Sequence, residues 1–405
     1  MTKRPFLLLL CFWVCLIASR PAASRRDFAG QYSLARRVVV DTRREADSLR
    51  LYVRFPNGSV VGSGQPLRMA VWPSYDAQQP VWQDSVSQLT KHTKRVGTAA
   101  LVEFCVPMAR LRAGQVLSLQ PGPNAADTGD EAWLLLTVER LARPFILVDS
   151  MGAPLMRRYV HASEPFEVST FGLDQPLLLR RYASNFTAAL PPMTNPAAQP
   201  PAPRTLGVQD SIIFQAGQLV ALQRAGLYLL NSGSSGPASS LLVEENNFPE
   251  LTTAADLIQP LIYLTSSVER KKLYDAPSPK KAVDQFWLNA ANRQQAGARQ
   301  LIRTYYGRVA AANQLFSAYK AGWMTDRGML YVVMGPPDAV YRTASEERWI
   351  YRQPDVGNST YVFRAKPSTF APEHYELVRR PEHEMLWYAA VEQWRKALTN
   401  ARPAR

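Results

Sequence analysis

At 405 residues, with 46% apolar and 20% charged side chains, the chain has apolar content for packed cores and too little charge for long disorder. Its length predicts two or three domains. The formal net charge of +14 points to acidic partners such as anionic lipid headgroups or glycan, while the absence of zinc-ligand spacing and of an RNA-binding aromatic signature excludes the usual nucleic-acid modules. Arginine is spread along the chain, as expected of a generally basic surface.

Residues 1–24 have the features of a secretory signal peptide. Lys3 and Arg4 form a basic start, Phe6 through Ala18 is an apolar run too short to cross a bilayer comfortably, and Ala22-Ala23-Ser24 offers small residues for cleavage. Cleavage there removes Lys3, Arg4 and Arg20, taking the net charge from +14 to +11, and leaves Cys105 as the one cysteine. A single cysteine forms no internal disulfide, and its setting in an apolar strand-like run predicts a small buried side chain. The mature chain is expected to be exported, periplasmic or outer-membrane-associated, with no transmembrane segment.

Residues 25–143 read as a β-sandwich-like, immunoglobulin-like module. Ser48 to Phe55 alternates at period two, Pro56-Asn57-Gly58 is a turn, and Leu67–Trp72, Ala99–Val106, Val116–Leu119 and Trp133–Val138 continue the pattern. The stretch 121–130 carries loop chemistry. Residues 144–250 read as a second β module, with strands at 145–148, 166–168, 177–182 and 226–230. A proline-rich stretch at 191–203 is read as a loop inside that module, because strand-like sequence resumes at Ile212; an interdomain linker is the alternative. Residues 251–405 read as an α+β module. Helices are expected over 254–263, 268–274, 282–319 with a break at Gly297, and 384–398, the third carrying an apolar stripe through Val283, Phe286, Trp287, Leu301, Tyr305, Val309 and Phe316.

The most specific segment is Gly322-Trp323-Met324-Thr325-Asp326-Arg327-Gly328, then the apolar run 329–334, then Gly335-Pro336-Pro337-Asp338. The glycines suit a turn with positive φ, Thr325 and Asp326 can bond nearby backbone N–H groups, Trp323 demands burial, and 329–334 reads as a strand buried on both faces that the prolines stop. Strands at 347–351 and 360–364 are expected to pair with it.

This segment resembles the GWxTD domain of exported Bacteroidota and Acidobacteria proteins, on Gly322, Trp323, Thr325, Asp326, Arg327, Gly328, Gly335, Pro336, Pro337 and Asp338. The likeness extends upstream through Asp284–Trp287 to Tyr305-Tyr306 and downstream to Glu347–Tyr351, and the mature chain looks like the long Bacteroidota members. The resemblance implies little chemistry, since no activity is generally established for the family. It does raise lipid attachment at Cys15 as an alternative to plain cleavage, although Phe12-Trp13-Val14 makes a poor lipobox. By the same lineage, Asp-Ser-apolar triplets at Asp47, Asp84, Asp149 and Asp210 resemble O-glycosylation sites.

The search for chemistry yields no nucleophile elbow, P-loop, dinucleotide fingerprint or HExxH pattern. His374 and His383 follow Pro-Glu, a spacing that matches no metal pattern and suits exposed loops. Asp326 is expected to be a structural acceptor with Arg327 as its charge partner, and Asp338 to fix a turn. Glu346 or Glu347 would serve with Asp326 as a glycosidase pair only if the fold brought them together. The motif residues are therefore expected to be structural, with no catalytic residue, metal or cofactor. The expected function is that of a non-enzymatic structural or interaction protein of the cell envelope, possible by analogy as a scaffold near secretion or gliding machinery. A periplasmic binding module for anionic glycan or peptide is the alternative, and a cryptic hydrolase using Asp326 or the Glu-His units comes third.

Overall fold

The computed structural model describes residues 26–61, 65–122, 130–172, 176–232, 237–353 and 357–397. The proposed signal, Cys15 and most of the 121–130 loop lie outside them. The described chain is mostly antiparallel β-sheet with a C-terminal helical region.

Two four-stranded sheets come first. One orders its strands Val39–Glu45, Ser48–Phe55, Ala99–Pro107 and Thr93–Val96; the other Trp82–Val86, Leu67–Trp72, Val116–Pro121 and Ala132–Leu135. They share one core, to which alternate residues Leu49, Leu51, Val53 and Phe55 contribute from the first sheet and Leu67, Met69, Val71, Leu117 and Leu119 from the second. The same alternation corrects the expectation for Cys105. Phe104 and Val106 point inward, so Cys105 faces out, exposed, with its thiol 3.9 Å from Glu45 Oε2. The strand expected to reach Val138 ends at Leu135. Thr137 accepts the Arg140 N–H and caps a short helix, Val138–Ala142.

A five-stranded sheet follows, ordered Tyr159–His161, Ala238–Glu244, Gly226–Ser232, Leu177–Tyr182 and Val208–Phe214, with a three-stranded sheet of Leu219–Ala221, Pro165–Thr170 and Phe145–Asp149. All the pairings are antiparallel except that of Tyr159–His161 with residues 242–244. The two sheets share a second core around Phe145, Phe166, Leu179, Tyr228 and Leu241. The proline-rich stretch joins the neighbouring antiparallel strands Leu177–Tyr182 and Val208–Phe214, yet it packs elsewhere. The Ala189 N–H donates to Met324 O at 2.8 Å and the Arg380 N–H to Pro192 O at 2.9 Å. Lys320 Nζ donates to Thr187 O at 2.8 Å.

The C-terminal region begins with Ala254–Ile258, a 3-10 turn Gln259–Tyr263, and Ser267–Tyr274, which Ser266 and Glu269 start with a reciprocal capping box. The long helical stretch is two helices, Pro279–Ala290 and Gln295–Phe316. Its break falls at 291–294, where Asn292 and Arg293 have φ of 50° and 63°, and Gly297 lies inside the second helix. Trp287, Tyr305 and Trp394 of the last helix, Glu384–Arg395, meet edge-on or tilted, with ring centroids 5.2–6.4 Å apart.

The segment read as the central strand is a helix, Asp326–Met334. Met329 through Val333 are all buried, so the helix is apolar around its circumference and shows no 3.6-residue period to distinguish it from a buried strand. Residues 347–351 and 360–364 consequently pair with each other rather than with it. The sheet is ordered Ala339–Arg342, Glu346–Gln353, Gly357–Ala365 and Tyr375–Leu377, all antiparallel. Phe28 and Tyr32, far upstream, join this core, and the Phe28 N–H donates to Val340 O at 2.8 Å.

Candidate functional site

The motif is a joint between two helices. Its glycines are required by close approach, not by the expected positive φ. A Cβ on Gly322 would stand 1.9 Å from Ala312 O, and one on Gly328 would stand 1.8 Å from Gly322 O. Around this contact the backbone is fully bonded. The Trp323 N–H donates to Asn313 Oδ1 at 3.1 Å, the Gly322 N–H to Ser317 Oγ at 3.0 Å, and the Tyr263 hydroxyl to Trp323 O at 3.0 Å. Thr325 is the N-cap of Asp326–Met334: its Oγ1 accepts the Gly328 N–H at 3.1 Å and donates to Gly322 O at 2.7 Å. At the other end Gly335 takes φ 89°, and Pro336 and Pro337 forbid another turn. Asp338 then fixes the next strand, accepting the Arg352 N–H at 2.7 Å.

Asp326 is buried, 4% exposed, and its partner is Arg379 rather than the adjacent Arg327. The carboxylate accepts the Leu377 N–H at 2.7 Å and the Arg379 guanidinium at 3.2 and 2.5 Å. Arg379 also donates to Leu190 O at 2.9 Å and Gln199 Oε1 at 3.0 Å, so one ion pair fastens the motif helix, the last strand and the proline-rich loop.

Arg327 instead lines a cavity of about 590 Å³ whose wall is drawn from all three parts of the chain. Two ion-paired carboxylates belong to that wall, Glu347 fully buried and Glu373 partly exposed. Glu347 accepts from the Tyr32 hydroxyl, from Trp349 Nε1 at 2.5 Å and from Arg342 Nε at 2.9 Å. Burial works to raise its pKa, but Arg342, Arg327 and these hydrogen bonds outweigh it and hold the carboxyl below its ordinary value. Burial likewise opposes ionisation of Glu373, yet Arg140 and Arg158 bring it down to about 2. Asp326 and Glu347 thus occupy separate ion pairs and do not form the two-carboxylate arrangement considered for glycoside cleavage. Glu346 is taken by Arg348 and Arg364.

The histidines are buried instead of exposed. His374 packs edge-on to Tyr319, and burial, with Arg327 nearby, lowers its pKa to about 4. His383 stacks on Tyr361 at 4.4 Å, and burial lowers its pKa as well. Among the described residues no group of three or more His, Cys, Asp or Glu is arranged to hold a metal ion. Of the serines in the Asp-Ser-apolar triplets, Ser85, Ser150 and Ser211 are exposed, whereas Ser48 donates to Glu45 O at a hairpin. Sequence reasoning missed the cavity and the roles of Tyr32, Arg342, Glu373 and Arg379. The Tyr32–Glu347 bond joins residues 315 positions apart, a separation at which the sequence carries no local signal.

The fold and this joint define a β-rich chain that ends in a helical region wrapped around a small antiparallel sheet. Residues 226–396 match the family model of the GWxTD domain, and over those residues the chain carries a GWxTD domain. No curated protein matches the chain. Among the solved structures that match is the native conformation of E. coli alpha-2-macroglobulin, at 13% identity and a TM-score of 0.16. The match covers 51% of this chain and 16% of that one, so this chain spans a small part of that protein, and so low a score carries no argument about fold.

Proposed function

We propose that this is an exported, non-enzymatic structural and interaction protein of the cell envelope. On this reading two sandwich-like, immunoglobulin-like modules act as spacer and docking surface for the GWxTD module. The observation that carries the proposal is the consumption of the motif's chemistry in holding elements together. Asp326 is bound by Arg379 and the Leu377 N–H, Thr325 caps a helix, and Arg327 lies against Phe316 and Tyr375. A free edge supports the docking role. Val208–Phe214 is the last strand of its sheet, with Ile213 70% and Val208 54% exposed. Among the described residues no helix is long and apolar enough to cross a membrane.

Crosslinking in native envelopes tests this. The wild-type chain should give defined high-mass adducts that Val208→Asp with Ile213→Asp diminishes while the fold is kept. Recovery of the wild-type chain only as a free soluble monomer would overturn the proposal.

A further inference from the structure

The cavity beside the motif has a composition that structural packing does not require. Its wall carries eight arginines against four carboxylates, an excess of four positive charges. The pairing is uneven. Arg143 is matched by Asp41, Arg157 by Glu164 and Arg342 by Glu347. Glu347 is shared with Arg327, 4.0 Å away, and Glu373 is the single carboxylate bridging Arg140 and Arg158, with Arg327 acting on it from the motif side. Arg37 and Arg54 make no ion pair with any described residue; Arg37 donates only to Gln314 O, at 2.9 Å. Burial, compounded by repulsion from Arg158, depresses the Arg37 pKa to about 10.

The hydrogen-bond inventory points the same way. Four buried donors of wall residues have no partner among the described residues: Gln31 Nε2, Trp133 Nε1, Arg140 Nε and Arg143 Nε. No buried side-chain acceptor of the wall is left in that condition. Unpaired buried donors are costly, and a group that only accepts hydrogen bonds and carries negative charge would relieve them while offsetting the excess of guanidinium charge. Guanidinium forks fit phosphate, sulfate and carboxylate in two-point geometry. The volume lies in the range of roughly 300–1,000 Å³ typical of small-ligand sites.

We propose that this cavity is a binding site for a ligand bearing two or more oxyanion groups, held by Arg37 and the Arg140–Arg158–Arg327 cluster around Glu373. This goes beyond the structural role proposed for the motif and does not depend on it.

Titration calorimetry on the full chain, at about 20 mM and about 200 mM salt, tests the proposal with pyrophosphate, citrate and trigalacturonate as probes and maltotriose as the neutral control. At least one anion should bind saturably near one to one, with the preferred probe separating a phosphate from a carboxylate source, and binding should weaken at the higher salt as exposed charges are screened. Arg37→Glu should weaken it about 10- to 100-fold, the loss of one or more charge-assisted hydrogen bonds. Arg54→Glu, at an exposed wall position, tests the same charge if the first variant does not fold. Lys272→Glu, on an exposed helix outside the wall, should leave binding unchanged. Absence of anion binding at low salt, or equal weakening by the wall and Lys272 variants, would overturn the proposal.

Discussion

Asp326→Ala removes one member of a buried ion pair whose side chains are 5% and 2% exposed. Deleting one partner of such a pair typically costs about 3–5 kcal/mol, because the other charge stays buried without compensation. Two further effects oppose each other. The Leu377 N–H loses its acceptor, a loss of about 1–3 kcal/mol, while Arg379 keeps Leu190 O and Gln199 Oε1 as acceptors and is not wholly stranded. A net loss of about 3–5 kcal/mol is expected for the C-terminal region. Because several domains need not unfold together, local readouts are preferable to a single midpoint. Hydrogen exchange at the Leu377 amide should accelerate by about two to three powers of ten, and proteolysis within 187–204 should increase in parallel, since that loop hangs on the same guanidinium. Asp326→Leu combined with Arg379→Met should recover much of the loss, because apolar replacement of a buried pair is often neutral or stabilising. A loss below about 1 kcal/mol for Asp326→Ala, with exchange and proteolysis unchanged, would refute the view of Asp326 as a structural tie.

Two glycine substitutions should have opposite signs. Gly322→Ala puts a Cβ 1.9 Å from a backbone oxygen that has nowhere to move and should cost at least about 1–3 kcal/mol. Gly307→Ala, in the exposed interior of Gln295–Phe316 with nothing within 4 Å of its Cβ, should stabilise by about 0.5–1 kcal/mol. Thermal unfolding of the two variants checks both. A pH series provides another test. His374 titrates at about 4 in the fold against an ordinary 6.5, so the unfolded chain binds its proton first. Its neutral form is fully compatible with the fold above pH 6.5, and stability should fall as the pH drops from 6.5 to 4, by about 3 kcal/mol in all. His374→Phe should flatten that slope in urea titrations run at successive pH values.

What could be read from the chain depended on where each element buries its residues. Ser48–Phe55 has one face inward, so its alternation was visible, and Gln295–Phe316 has one buried stripe, so its period was visible too. Asp326–Met334 is enclosed on every side, and burial erased the signal that separates helix from strand. Its capping was nevertheless legible, since Thr325, Asp326 and Gly335-Pro336 form a start and a stop in the order a helix uses. Arg327 beside Asp326 suggested a pair that the helix does not allow, and Arg379, 53 positions away, takes the carboxylate instead. The arginine-lined cavity was hidden because Arg37, Arg140, Arg158 and Arg327 come from four distant segments, each of which alone resembles ordinary basic surface.

The insertion of Phe28 and Tyr32 into the last sheet has a consequence for how the chain comes to be folded. Ribosomal synthesis makes these two aromatics among the first of the described residues, yet the Val340 backbone and the Glu347 carboxylate that receive them are made more than 300 residues later. The two four-stranded sheets can close their own core in that interval, because its buried apolar members lie between residues 49 and 141. Ahead of them Phe28 can already rest edge-on against Tyr75 and Trp133, but Tyr32, whose partners include Arg342, Glu347 and Trp349, must wait until the final sheet exists. Its docking is therefore among the last steps, and it couples the completion of the far end of the chain to the burial of the near end.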